Sequence, residues 1–547
     1  MIARKSIILL CIAIIGCINA PVEPLQNTTF KMEVLSSKKT GITFENKLTD
    51  TSSLNIIEYL YYYNGGGVSV GDINNDGLDD LYFAANQLPD KLYLNLGNMQ
   101  FKDISSAAGL NQKPSWSTGV SMQDVNNDGY IDIYVCKVGQ FNELQSHNEL
   151  YLNNGDLTFT EAASEVNLDF SGFSTQAAFL DYDQDGDLDL YLLNHNIHSV
   201  RSYGNTKARK IPNTLAGDRF YENKMNESGT FEEVTESSGI YSSALGYGLA
   251  VGISDFNMDG LPDIYVGNDF HENDYLYINN GDKTFTESIE FYTSHTSRFT
   301  MGIDIADMNN DGFLDFFTTD MLPFAAEILL KSGGEDTDQV IRIKERYGFR
   351  PQFARNHLQI NNGDTTFSDL ALQTKTFATD WSWGVLLADF DNDGFPDYFI
   401  GSRNITGAYG LTPNSFIVQN KDGLAMKIID RKQWGMISDA QWVDLNGDHF
   451  LDLVLVGDWM PITVLINQQG KSFENKTLEY GLANTSGLWN TVEIHDFDQN
   501  GLPDIIAGNS GINSKWHPSK ERPVKLYLDD FDENQQADPI IFYPYGN

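Results

Sequence analysis

The chain is poor in cysteine: Cys11, Cys17 and Cys136 are its only three. So few exclude a disulfide-stapled scaffold. Cys136 sits in the apolar run Ile133-Tyr134-Val135-Cys136 and reads as a small buried hydrophobe. Basic residues are scarce too, 36 Lys and Arg against 76 Asp and Glu, for a net charge of -40. That balance excludes a general nucleic-acid binder, which needs a basic face for phosphates. It also opposes electrostatic docking on anionic lipid. No Gly-x-Ser-x-Gly elbow, His-Glu-x-x-His, Walker loop or dinucleotide fingerprint occurs, so nothing in the chain reads as catalytic. Proline (16) is far outnumbered by glycine (47), which suits a chain of many turns. Hydrophobic residues make up 41% of the 547 and aromatics 12%, enough for a large core and too much for disorder.

Long apolar runs are confined to the N-terminus. Arg4-Lys5 precedes an apolar stretch from Ser6 to Ile15, too short to anchor in a bilayer as a helix. It ends in Ile14-Ile15-Gly16-Cys17, which resembles a bacterial lipobox. Residues 1–16 are then a lipoprotein signal peptide, Cys17 the lipidated residue and 17–28 a linker. The competing reading is ordinary cleavage after Ala20, which Pro21 disfavours. Ile18 is not the aspartate of inner-membrane retention, so the expected location is the outer membrane, facing periplasm or surface, with secretion as the alternative.

From there on one pattern recurs: Asp-x-Asn/Asp-x-Asp/Asn-Gly-x-x-Asp between apolar, strand-like flanks. Its copies are Asp72, Asn74, Asp76, Asp80; Asp124, Asn126, Asp128, Asp132; Asp181, Asp183, Asp185, Asp189; and Asp255, Asn257, Asp259, Asp263. Then come Asp307, Asn309, Asp311, Asp315; Asp389, Asp391, Asp393, Asp397; Asp444, Asn446, Asp448, Asp452; and Asp496, Asp498, Asn500, Asp504. A ninth is Asp530, Asp532, Asn534, Asp538. The seventh has His449 and the ninth Gln535 where glycine is expected.

The base period is about 52 residues, which signals a β-propeller. Each unit shows a small-residue strand before the loop and an apolar one after it. A Leu-Tyr-x-Asn strand follows, such as Leu92-Tyr93-Leu94-Asn95, and then a strand begun by Phe, such as Phe101 or Phe159. The expected fold is all-β, a propeller of four-stranded blades over residues 29–547, with insertions at about 194–219 and 321–356. Phe30-Lys31-Met32-Glu33-Val34, with the turn Thr40-Gly41-Ile42, looks like an orphan fourth strand, and the eighth unit lacks one. Eight blades closed by the N-terminus are therefore expected; the alternative is seven, with residues after about 485 opening a second domain.

The loops point to calcium, a hard cation that takes six to eight oxygens. Positions 1, 3, 5 and 9 supply carboxylate or amide oxygens, and position 7, as at Leu78 or Tyr130, a backbone carbonyl. An EF-hand would need Glu at position 12, where these loops carry residues such as Phe83, Val135 and Leu192. Up to nine ions are expected.

The loops resemble those of FG-GAP/VCBS repeat proteins, the propeller type of integrin α-subunits, and more closely the bacterial relatives of cartilage acidic protein. Tyr63-Asn64-Gly65-Gly66-Gly67, Trp116-Ser117-Thr118-Gly119, Asp181-Tyr182-Asp183, Asp320-Met321-Leu322-Pro323, Thr379-Asp380-Trp381-Ser382-Trp383, Leu526-Tyr527, Asp530-Phe531-Asp532 and Asp538-Pro539-Ile540 carry it. The resemblance covers about residues 28–547 and implies a surface or secreted calcium-binding propeller. It also implies a C-terminal ASPIC/UnbV domain, which is not seen in these 547 residues.

A ligand face is suggested by aromatics eight residues before the first Asp of units two to six: Trp116, Phe173, Tyr247, Phe299 and Trp381. Two readings stand, wedge packing between blades or a platform for sugars or peptides. The insertions add a basic cluster, Arg201, Lys207, Arg209 and Lys210, and two helix-like stretches, the second with Arg342, Lys344 and Arg346. His195 and His198 are too few ligands for a transition metal. The expected function is an extracellular module for binding or adhesion to a glycan or protein, touching the membrane only through lipid. The alternatives are a polysaccharide-acting enzyme or an envelope scaffold.

Overall fold

The computed structural model describes residues 31–543 apart from 197–204, 333–335, 405–411, 420–425, 512, 515, 517–518, 520 and 535–536. Cys17, Phe30, His198, Arg201 and Gln535 lie outside the described residues, as do the expected signal peptide and linker. Among the described residues no helix is long and apolar enough to cross a membrane.

Seven of the repeats fold as a meander of four antiparallel strands. In blade 1 these are Val68–Gly71, Asp80–Phe83, Lys91–Asn95 and Phe101–Asp103, paired in that order. Blades 2 to 7 follow at 117–161, 174–233, 248–287, 302–369, 380–432 and 436–475. The first strands of most neighbouring blades touch one another. That crowding explains their small residues: a Cβ at Gly119 would collide with the Thr175 carbonyl oxygen. Second strands are covered on both faces and so read as unbroken apolar runs; Asp132–Lys137 is buried throughout.

The core lies between blades. Tyr82, Leu92 and Ile104 of blade 1 pack on Ile133, Val135 and Tyr151 of blade 2. Leu180, Tyr191 and Phe220 of blade 3 pack likewise on Ile264, Val266 and Tyr277 of blade 4.

The preferred count of eight blades is corrected to seven four-stranded ones, the number in the alternative reading. The eighth sector holds a two-stranded hairpin, Gly487–His495 with Asp504–Asn509, joined to blade 7 through Asp458 opposite Leu488. Residues 31–35 do lie where an outer strand belongs. Met32 N–H donates to the Tyr480 carbonyl at 2.9 Å, as Phe159 N–H does to Ala108 at 2.7 Å. Among the described residues, however, no third strand pairs with Asp504–Asn509. The chain instead runs through 510–524 to a separate hairpin, Lys525–Asp529 with Asp538–Phe542.

The insertions lie in blades 3 and 5. The first contains a 3-10 turn, Thr206–Lys210, and the second the helices Ala326–Ser332 and Asp338–Arg346. They meet where Thr206 Oγ1 donates to the Tyr347 carbonyl at 3.0 Å.

Candidate metal centres and the opposite channel mouth

Eight of the nine Asp loops stand at the same place in their sectors, between first and second strand, and share one hydrogen-bond plan. In the first loop Asp72 Oδ1 accepts the Asp76 N–H (3.1 Å) and Oδ2 the Gly77 N–H (2.7 Å), and Asp76 Oδ1 accepts the Leu78 N–H (2.9 Å). The loop thereby wraps around its own carboxylates. Gly77 is left-handed at φ 87°, as the turn requires. The seventh loop keeps the plan without that glycine. His449 takes φ 68° and its N–H still reaches Asp444 Oδ2 at 2.8 Å, at a cost of roughly 1 kcal/mol for a side chain in that region.

The ninth-position aspartates are the buried members. Asp132 Oδ2 accepts the Val125 N–H (3.1 Å) and Oδ1 the Asn153 N–H (2.8 Å) of the third strand. Burial, with a further push from Asp128 and Asp124 and despite those two bonds, raises its carboxyl to about 7. Asp80, Asp263, Asp315 and Asp452 are likewise raised to about 7, Asp189 and Asp397 to about 8, and Asp504 to about 6.

In the third, sixth and eighth loops carboxylate oxygens of positions 1, 3 and 9 lie within 4.8 Å of one another: Asp181, Asp183, Asp189; Asp389, Asp391, Asp397; Asp496, Asp498, Asp504. In the other loops of the ring position 3 is Asn74, Asn126, Asn257, Asn309 or Asn446. Asp183 Oδ1 is buried with no hydrogen-bond partner, while Lys283 Nζ lies 2.7 Å from its Oδ2. Converging oxygens with an orphaned buried one fit a hard divalent cation. The ninth loop, Asp530, Asp532 and Asp538, has the same convergence but sits on the separate hairpin.

Two features of the ring were not foreseen. The Asn of the Leu-Tyr-x-Asn strand ties its blade to the preceding loop. Asn153 Nδ2 donates to the Ile73 carbonyl (2.8 Å), Asn223 to Val125 (2.8 Å) and Asn467 to Phe390 (2.7 Å). Asn95 reaches the Phe497 carbonyl (2.9 Å), which closes the circle across the eighth sector. Position 4 of each loop is left-handed, and where it is an amide it reaches the next loop. Asn75 donates to the Gly129 carbonyl (3.0 Å), Asn127 to Gly186 (3.0 Å) and Gln499 to Gly77 (2.5 Å). The recurrence of both amides was visible in the sequence; their reach into a neighbouring blade was not.

The aromatic candidates occupy the other end of the first strands, so they face away from the loops. Trp116 and Phe173 are buried beneath residues 54–62, with Tyr59 and Tyr62 rings 5.5 and 5.4 Å from Trp116. Tyr247 is buried. Phe299 is half-buried with Arg298 stacked 4.6 Å above it, and Trp381 is half-buried at the strand that pairs with Met321. Trp116, Phe173, Tyr247 and Phe299 form an arc continued by His195 and Phe270. A cavity of about 330 Å³ opens beside it, lined by Tyr59, Tyr61, Asn64, Trp116, Gln176 and His195 among others. The run of tyrosines from Tyr59 to Tyr63 was the sequence signal for this cap.

Two of the basic residues are engaged within the fold. Arg209 pairs with Glu272 and donates to Asn273 at 2.9 Å, and Lys344 is buried against Asp336 at 2.8 Å. Lys207, Lys210, Arg342 and Arg346 are exposed.

Comparison with known proteins agrees with the loop geometry. FG-GAP-like repeats match at residues 72–135, 139–192, 255–318, 347–400 and 444–507, more than half of the chain. The chain belongs to the FG-GAP-like repeat family. Within it, 208 residues are 28% identical to mouse cartilage acidic protein 1 and 27% identical to the human protein, covering 38% of this chain in each case. That stretch is 29% of the mouse relative and 28% of the human one. Among solved structures, an Agrocybe aegerita lectin that recognises non-reducing terminal N-acetylglucosamine aligns over 82% of this chain and 96% of its own, at TM-score 0.39 and 15% identity. The V. cholerae biofilm matrix protein Bap1 aligns over 82% and 85%, at TM-score 0.39 and 11% identity.

Proposed function

We propose that this FG-GAP-like propeller is a calcium-stabilised, non-catalytic recognition module, binding a glycan or protein outside the cell and tethered to a bacterial outer membrane through lipidated Cys17. The loop ring carries the reading. In the first seven loops the ninth-position carboxyl is buried beside further aspartates, and burial with like charge raises it far above the carboxylate norm. Calcium relieves that crowding. Positions 1, 3, 5 and 9 and the position-7 carbonyl would hold it, as with Asp124, Asn126, Asp128, Asp132 and the carbonyl of Tyr130. The same assignment takes up the acidic residues that could otherwise pair as acid and base. Recognition then falls to the opposite mouth, where the cap, the insertions and the aromatic arc meet.

Calcium titration by calorimetry tests the first half. Several sites are expected in the full chain, and one fewer in Asp185→Ala. No heat and no change in melting with millimolar calcium would overturn it. The second half is tested by offering the folded chain to a glycan array and to envelope proteins; retention of neither refutes a recognition role.

A further inference from the structure

We propose that the open edge of Asp504–Asn509 is the acceptor for one strand of a second copy of this chain, Lys525–Asp529. The proposal concerns assembly and stands whatever the opposite mouth binds.

The finished blades define the acceptor. In each of the seven, one third-strand residue donates its backbone N–H to Oδ1 of the ninth-position aspartate. The side-chain amide of that same residue donates to the position-2 carbonyl of the preceding loop. Those seven amides reach every loop of the ring except the seventh. The position-2 residue of the seventh loop is Leu445, and it lines the slot beside Ile505–Ala507. Asp504 Oδ2 accepts the Phe497 N–H, but among the described residues no third-strand N–H meets its Oδ1. Met32 and Val34 bound the slot on the other side. Both halves of the third-strand grip are thus open in one sector, next to an unpaired strand edge. Such edges accept strands from other chains.

The donor is a strand of third-strand type outside any finished blade. Lys525-Leu526-Tyr527-Leu528-Asp529 repeats Lys91-Leu92-Tyr93-Leu94-Asn95 of blade 1 at four of five positions. It stands before an Asp loop, as first strands do, yet lacks the small residues of a first strand such as Val68-Ser69-Val70-Gly71. Among the described residues it pairs only with Asp538–Phe542, and Tyr527 and Phe542 are 49% and 59% exposed. A lone two-stranded hairpin is marginal in water, so burying this surface in a ring is favourable. Within one copy donor and acceptor do not pair with each other. Two copies can exchange them reciprocally, which closes a dimer.

Blade 1 supplies the register. Leu81 lies opposite Tyr93 and Tyr82 opposite Leu92, so Ile505 would face Tyr527 and Ile506 would face Leu526. Asp529 then stands in the place of Asn95. It keeps the backbone N–H for Asp504 and loses the amide for Leu445, so the exchanged strand is held more loosely than a built-in one.

The test uses the full chain in millimolar calcium, with its mass followed by light scattering across a concentration series. A reversible dimer is expected. Tyr527→Asp should weaken it at least tenfold, and Asp529→Asn, which restores the amide, should tighten it about tenfold, both with the melting temperature of the ring unchanged. Disulfide trapping reads the register. Chains carrying Ile506→Cys and chains carrying Leu526→Cys are mixed under oxidation, and a link between positions 506 and 526 of different chains is expected by mass spectrometry. The native Cys136 is buried and does not compete. A monomer at every concentration overturns the proposal, as does a dimer that Tyr527→Asp leaves intact or a mixture that yields no such link. A doubly substituted chain that links only within itself overturns it too, because the chain's own strand then fills the edge.

Discussion

Seven sectors of the ring are finished and the eighth is not, and the contrast isolates what makes a blade. Both kinds have the Asp loop and the inner hairpin. In the finished sectors the ninth-position aspartate is gripped twice, by the second residue of its loop and by the third strand, as Asp452 is by Leu445 N–H (2.9 Å) and Asn467 N–H (2.8 Å). Asp504 is gripped once in the loop, by Phe497 N–H at 3.2 Å, with no third strand beside it among the described residues. Beside it lies a slot of about 600 Å³ between Ile505–Ala507 and Met32–Val34, lined by both apolar and charged residues. The loop alone therefore closes the ring, and the third strand completes the packing.

Chelation tests what the two kinds of sector have in common and should have the largest effect. An ion at ten times its dissociation constant stabilises its loop by about 1.4 kcal/mol, so emptying the ring costs on the order of 10 kcal/mol. Calorimetry with and without chelator reads this directly; equal melting would mean that the loops hold no stabilising ion.

The lacing between sectors comes next. Asn153→Ala should cost about 2–4 kcal/mol in chelator, because it strands the buried carbonyl of Ile73 and the half-buried one of Ile131 together. Under the same conditions Asp132→Ala should cost at least twice as much as Asp504→Ala, since the first removes two buried acceptors where the second removes one with looser surroundings. Urea unfolding compares them, and equal costs would mean that the third strand adds nothing to the grip.

Much of this was legible beforehand because the physics repeats. The Asp loops, the four-strand unit and the period could be read from residue types alone, since each blade solves the same local problem. The closure could not. Met32 and Gly41 lie where an outer strand and its turn belong, yet pairing needs a third strand that local pattern does not supply. The aromatic candidates show the other limit. They line up at one end of the first strands, but Tyr59 and Tyr62, far away in sequence, bury Trp116. Spacing along the chain shows which residues line up; it does not show what folds over them.

Finished blades also differ among themselves. Blade 7 caps its outer strand with Asn475, which accepts the Thr477 N–H, whereas blade 5 uses Asp369. Burial alone would raise the Asp369 carboxyl, but hydrogen bonds from His295 and His357 at 2.9 Å outweigh it and hold it well below the carboxylate norm. A depressed carboxyl stabilises above its unfolded pKa, about 4, and that contribution fades as pH falls through the lower folded value. Asp369→Asn should thus be less stable than wild type by about 1–3 kcal/mol at pH 7, with the gap narrowing below pH 4. A gap constant from pH 7 to pH 2 would assign the loss to packing instead.

The smallest expected effect lies in the unfinished sector itself. Phe159 and Met32 hold equivalent places, each donating its N–H to the turn of the preceding blade. Phe159 is buried in the core between blades 1 and 2, while Met32 is half-buried beside the slot. Phe159→Ala should therefore cost about 3–5 kcal/mol. Met32→Ala should cost about 1 kcal/mol, because a side chain already facing a void leaves little new cavity behind. If the two substitutions prove equally costly in chemical denaturation, the eighth sector is as tightly packed in solution as the other seven, and the slot beside Met32 is filled by chain that pairs with Asp504–Asn509.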